Sequence, residues 1–193
     1  MMIRNAKQGD LDTILQLGKQ FGHQMLYQKD HDLMERYLPR IIVAEEDIPA
    51  LNVLFDAGGL SEVSGPTTEV VGYYHYIVSG DPGFAEMLRV YRQMPENLIF
   101  EASGLMPGRL CVVMQGACHR DVFKLLINYL QNLYPELWSW NSITNPDNPS
   151  GKRDGYKALG FTFAGEDYRF WNCSKGNYSV YTLGRWIREN GNS

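Results

Sequence analysis

The chain has 193 residues, 44% of them hydrophobic and 21% charged, with a formal net charge of −4. That length suits one domain, residues 1–193, with a core large enough to need no disulfide or metal staple. A mildly acidic chain has no electrostatic reason to seek nucleic acid or an acidic membrane surface, and no apolar run approaches the ~18 residues of a membrane span.

Residues 2–6 read as a short strand. Asp10 then stands as a helix N-cap, because its carboxylate can accept from free N–H groups. Leu11, Ile14, Leu15 and Phe21 follow at helical spacing, so a helix is expected over 10–21. Residues 31–44 read as a second helical region, divided by Pro39. ALNVLFDA (50–57) and VVGYYHYIVSG (70–80) read as strands of an antiparallel hairpin across the Gly-rich AGGLSEVSGPTTE. DPGFAEMLRVYRQM (81–94) has helical spacing, whereas NLIFEASG (97–104) and RLCVVMQ (109–115) read as strands around LMPG. A helix pattern starts near Asp121, ELWSWNSI (136–143) is a strand, and KRDGYKALGF is a short helix closed by Gly160. FTFAGEDYRFW and NYSVYTLGRWI end the chain as paired strands. This order describes an α+β fold: a mixed, mostly antiparallel twisted sheet flanked by helices.

The three cysteines, Cys111, Cys118 and Cys173, form no disulfide framework by spacing. No Cys/His cluster has zinc spacing, so no metal is expected. The start MMIRNAKQGD lacks an apolar signal core, which makes a reducing cytoplasmic setting the expectation.

CVVMQGACHRDVFKLLINYL (111–130) joins a strand to a helix. Free backbone N–H groups at a helix start favour anions. Phosphate turns of this kind are usually glycine-rich, and this one has only Gly116.

The element order resembles the GNAT acyltransferase superfamily at three places. IRNAKQGDLDTILQLGKQF is similar to the usual opening strand and acidic helix start. Val112 to Leu125-Leu126 has the spacing of the acetyl-CoA motif. GYKALGFTF resembles the tyrosine-containing helix that ends in Gly-Phe. The resemblance implies a central strand splayed from its neighbour, with the pantetheine arm of acetyl-CoA along Val112, Val113 and Met114. It also implies that the pyrophosphate lies around Ala117–Val122, a segment that includes Cys118, His119, Arg120, Asp121 and Val122. The family's Gly-x-Gly is missing there. Either His119 and Arg120 supply side-chain charge in its place, or Asp121 caps the helix and closes the site.

Acyl transfer to an amine needs a base, a polarised carbonyl and an acid for the leaving thiolate. By resemblance Tyr156 falls at the thiolate-facing tyrosine. Glu101, read as sitting on a strand beside the central one, is the base candidate, because an apolar strand would raise its pKa. His75 is the second base candidate. Asn145 and Asn148 follow the WSWN strand, near the family's CoA-contacting asparagine, and Lys152 and Arg153 could face the 3′-phosphate or solvent. Trp138 and Trp140 share a strand face, which points to a thick core or a partner surface. Two functions follow. One is an N-acetyltransferase using acetyl-CoA and an amine of a small molecule or protein. The other is an inactive GNAT-fold module with a protein partner, like GNAT-like chains of phage virions. The acceptor, and whether the chain forms a homo-oligomer, stay open.

Overall fold

The computed structural model describes residues 1–20, 37–48, 67–142, 151–163, 165–172 and 177–189. Seven strands form one sheet: β1 Met2–Asn5, β2 Ile41–Ile48, β3 Thr67–Val78, β4 Leu110–Cys118, β5 Glu136–Ser142, β6 Tyr168–Asn172 and β7 Asn177–Ile187. Their spatial order is β1-β2-β3-β4-β5-β7-β6. All neighbours pair antiparallel except β4 and β5, which are parallel and joined by helix α4 Arg120–Leu133. A parallel pair needs such a crossover because its two strands start at the same end.

Both faces of the sheet are covered. Helices α1 Leu11–Gln20, α2 Phe84–Val90 and α3 Glu96–Ser103 lie on one face, over Tyr73, Val112, Met114, Trp138 and Trp140. On the other, α4 and the short α5 Gly151–Lys157 cover Tyr74, Tyr76, Val113 and Leu137. Among the described residues no helix is long and apolar enough to cross a membrane.

Two-sided burial explains where sequence periodicity misleads. Of the helix expected over 31–44, residues 31–36 lie outside the described residues, and the rest is a 3-10 turn at Leu38–Arg40, which holds Pro39, followed by β2. Ile41 and Val43 pack on the α1 face and Ile42 and Ala44 on the α4 face, so the run is apolar throughout and shows no strand alternation. β2 is the antiparallel partner of β3, with Ile41 opposite His75. The strand expected at 50–57 lies outside the described residues.

The expected strand at 97–104 is helix α3. Leu98, Ile99 and Ala102 are buried while Phe100 is 83% exposed, which is a helical stripe and not an alternation. α2 and α3 together form the connection from β3 to β4.

Asp10 is not the N-cap of α1: it ends a 3-10 turn whose N-cap is Lys7, and its carboxylate accepts backward from the Lys7 N–H at 2.6 Å and pairs with Arg4. The expected helix end at Gly160 holds. Gly160 adopts φ +83° after α5. Its N–H donates to the Lys157 carbonyl, and the Phe161 N–H donates to the Tyr156 carbonyl at 3.1 Å. That pair of bonds is a Schellman cap, and it needs a residue tolerant of positive φ.

Candidate active site

β4 and β5 pair over only four residues, from Leu110↔Glu136 to Val113↔Ser139. β4 then runs on to Cys118 against β3 alone, and β5 runs on to Ser142 against β7 alone. The register to β3 skips at Met114, which stands unpaired between the pairs Tyr76↔Val113 and His75↔Gln115. A bulge bends its strand and strengthens its twist. The central strands therefore part just beyond Val113 and Ser139. Among the described residues, no strand lies on that side of the β4 main chain from Met114 onward.

On the α4–α5 face, at the last pair, lies a group of hydroxyls. Ser139 is buried and accepts a hydrogen bond from the Asn141 side-chain amide. Tyr156 of α5 is buried, with its ring edge-on to Phe123 of α4 at 5.0 Å and to Phe161 at 4.9 Å. Its hydroxyl is within hydrogen-bonding reach of those of Ser139 and Tyr74. Burial pushes the Tyr156 phenol upward, and Ser139 and Tyr74 pull it partly back. Burial raises Tyr74 well above its ordinary value, aided by its contact with Tyr156. Both rings are therefore protonated at neutral pH.

Gly116 seats Tyr74. The two are cross-strand partners, and a Cβ on Gly116 would lie 2.5 Å from the Tyr74 ring and 2.7 Å from the Tyr73 carbonyl oxygen. The lone glycine of the 111–130 stretch is thus a packing glycine inside β4, where an aromatic ring lies over the bare backbone.

The α1–α3 face is built from nitrogen donors and indole. The Trp140 indole N–H donates to the Arg92 carbonyl at 2.8 Å, and the Arg92 guanidinium donates back to the Trp140 carbonyl. Trp140 is the first residue of β5 past the last β4 pair, so a side chain serves a carbonyl there that no β4 residue pairs with. His75 is wholly buried and its ring meets Tyr37 at 5.4 Å. Burial, with Arg92 nearby, lowers its pKa to about 3, so the imidazole is neutral at physiological pH.

The strand-to-helix turn is one residue long. β4 ends at Cys118, His119 is the N-cap with extended φ/ψ, and α4 begins at Arg120. His119 makes no side-chain capping bond; its carbonyl accepts the Phe123 N–H at 3.1 Å. Asp121 is exposed in the first turn, while Val122 is buried in the core beneath. The helix start thus offers backbone N–H groups without a glycine loop ahead of them.

Of the residues singled out from sequence, Met114 and Tyr156 come to the parting strands, with Val112 and Val113 in the paired segment just before. Cys118 to Val122 lie together at the turn. Glu101 does not sit on a strand beside β4. It is on α3, about half exposed, with both carboxylate oxygens held by Arg185, one at 2.8 Å. Arg185 in turn lies 4.5 Å over the Trp138 ring, so this ion pair ties α3 to β7. The apolar-strand setting that suggested a base is absent. Arg153 turns toward Thr182 at 3.0 Å and Asp167 at 3.3 Å. Trp138 and Trp140 are wholly buried, which makes them core. Asn145 and Asn148 lie outside the described residues.

Sequence reasoning did not single out Tyr74, Ser139 or Arg92. The alternation of Tyr73-Tyr74-His75-Tyr76 separates two faces, but only the registers to β2 and β4 show what each face meets.

No family model matches the sequence, and no curated protein sequence is significantly similar to it. Solved structures are similar over nearly the whole chain. NAA60 of Arabidopsis thaliana in complex with acetyl-CoA superposes with a TM-score of 0.57 at 13% identity, covering 96% of this chain and 97% of that one. A ribosomal-protein-alanine N-acetyltransferase from Brucella melitensis gives 0.53 at 13% identity, with coverages of 97% and 99%. An N-acetyltransferase from Staphylococcus aureus Mu50 gives 0.52 at 13% identity, with 96% of each chain covered. In its strand order and parted central strands, the chain shares the GNAT fold of these structures.

Proposed function

We propose that this chain is an N-acetyltransferase that moves an acetyl group from acetyl-CoA to an amine of a small molecule or protein. The observation that carries the reading is the end of the β4–β5 pairing at Val113 and Ser139, beside the buried Tyr156 hydroxyl. The edge of β4 from Met114 onward can pair with the amides of a pantetheine arm, while Val112 and Val113, already paired with β5, close its inner end. The start of α4, from the N-cap His119, is the anchor for the pyrophosphate. The acetyl-CoA complex of a protein of similar fold supports that cosubstrate here.

Tyr156 is the acid. The amine, having lost one proton to solvent, attacks the thioester carbonyl carbon. As the C–S bond breaks, its electron pair stays on sulfur, which takes the Tyr156 proton. The phenolate oxygen then takes the second proton lost by the nitrogen. A phenol that stays protonated at neutral pH suits that role. Glu101, committed to Arg185, leaves the first deprotonation to solvent.

Titration with acetyl-CoA tests the reading. At ~100 times its dissociation constant the ligand adds ~2.7 kcal/mol to unfolding stability, seen as a rise in Tm. An unchanged Tm and no calorimetric heat at millimolar acetyl-CoA would sink it and leave the binding-module alternative.

A further inference from the structure

Tyr74 on β3 and Ser139 on β5 approach Tyr156 from different strands, each within hydrogen-bonding reach of its hydroxyl. Tyr74 is on β3 and its ring is fixed by two neighbours: the bare backbone of Gly116 beneath it and the Phe123 ring at 6.2 Å. Phe123 also packs edge-on against Tyr156, so one α4 side chain sets the relation of the two tyrosines. Ser139 is the last β5 residue paired to β4, and Asn141, two residues on, donates to its hydroxyl oxygen. With that acceptor site used, the Ser139 proton is available to Tyr156.

Resting on the acid role given to Tyr156 above, we propose that Tyr74 and Ser139 are its positioning residues: they hold its hydroxyl at the mouth of the parted strands and donate to the phenolate left after proton transfer. An acid in a buried setting needs such donors, because an unsolvated phenolate is costly. Two preorganised hydroxyls replace the water that burial excludes. Among the described residues, ionisable groups that act on the Tyr156 phenol include Tyr74 on β3, Cys118 on β4 and Arg92 after α2. Of these Tyr74 is a hydroxyl donor in reach, and Ser139 is the other.

Two measurements on Tyr74→Phe, Ser139→Ala, Tyr156→Phe and the doubles with Tyr156→Phe test this. In ligand-free protein, phenolate absorbance is titrated, and each variant lacking Tyr156 is subtracted from its parent to isolate the Tyr156 transition. Tyr74→Phe and Ser139→Ala should each move it to higher pH, lowering the acid constant about threefold to tenfold. With acetyl-CoA and water or a set of primary amines as acceptors, each should lower kcat by a similar factor at unchanged KM. Neither should lower it further in the Tyr156→Phe background. An unshifted transition, or rate losses that multiply with that of Tyr156→Phe, would overturn the proposal. Shifted transitions with no turnover in the parent would uphold the hydroxyl network and count against the enzyme reading alone.

Discussion

The two faces of the sheet at the parted strands use different chemistry. On the α1–α3 face, Trp140 and Arg92 exchange main-chain and side-chain hydrogen bonds, and a neutral His75 is sealed beneath them. On the α4–α5 face, the hydroxyls of Tyr74 and Ser139 approach that of Tyr156, and both tyrosines stay protonated. The first face satisfies β5 where β4 has left it, so its side chains act as structure. The second adds little to backbone pairing and sets the buried Tyr156 phenol beside the opening. Loss of pairing between two central strands is thus supported from one side and made usable from the other. Substitutions on the first face should cost stability, and conservative ones on the second should cost rate.

The largest effect expected is from Trp140→Ala. Trp140 is wholly buried, stacks on Tyr181 at 5.6 Å and anchors Arg92, so its loss should cost about 3–5 kcal/mol in denaturant unfolding. A cost below about 1 kcal/mol would mean that the α1–α3 face does not hold the strands, and the contrast would fail.

His75 gives the next effect through pH. Its native pKa of about 3 lies below the ordinary 6.5, so the unfolded chain takes up a proton first as pH falls. Its contribution to stability is fully present above about pH 6.5 and declines toward pH 3, by up to ~1.4 kcal/mol per unit. Unfolding curves for wild type and His75→Phe between about pH 7 and pH 5 check this. The variant should have the flatter dependence, and equal slopes would show that His75 is accessible to protons.

The smallest effect belongs to the turn that both faces share. Asp121→Asn removes a negative charge from the first turn of α4, where the proposed function puts the pyrophosphate of acetyl-CoA. Acetyl-CoA affinity by calorimetry should tighten about twofold to fivefold. An unchanged affinity would mean that the phosphates lie elsewhere.

Much of the fold was legible because its signals are local. The apolar run at 111–114 and the helical pattern from Asp121 marked β4 and α4, Gly160 marked the end of α5, and the run ELWSWNSI marked β5. Residues 37–44 and 97–104 were misread for one reason: burial from two sides, or a short helix with one exposed Phe100, produces apolar spacings that fit either period. The candidate site was legible only at Tyr156 and along β4. Glu101 drew attention as a carboxylate in an apolar run, yet that run is a helix and Arg185, 84 residues away, holds the carboxylate.

By itself, then, the sequence determined element order, the β4-to-α4 unit and the Gly-Phe helix end, since each depends on neighbours within about one helical turn. Only the tertiary structure decided that β4 and β5 part after Val113 and Ser139, that Gly116 seats Tyr74, and that the hydroxyls of Tyr74 and Ser139 approach that of Tyr156. Those facts depend on registers between strands far apart in the chain, and register is set by whole faces packing together and not by any one segment.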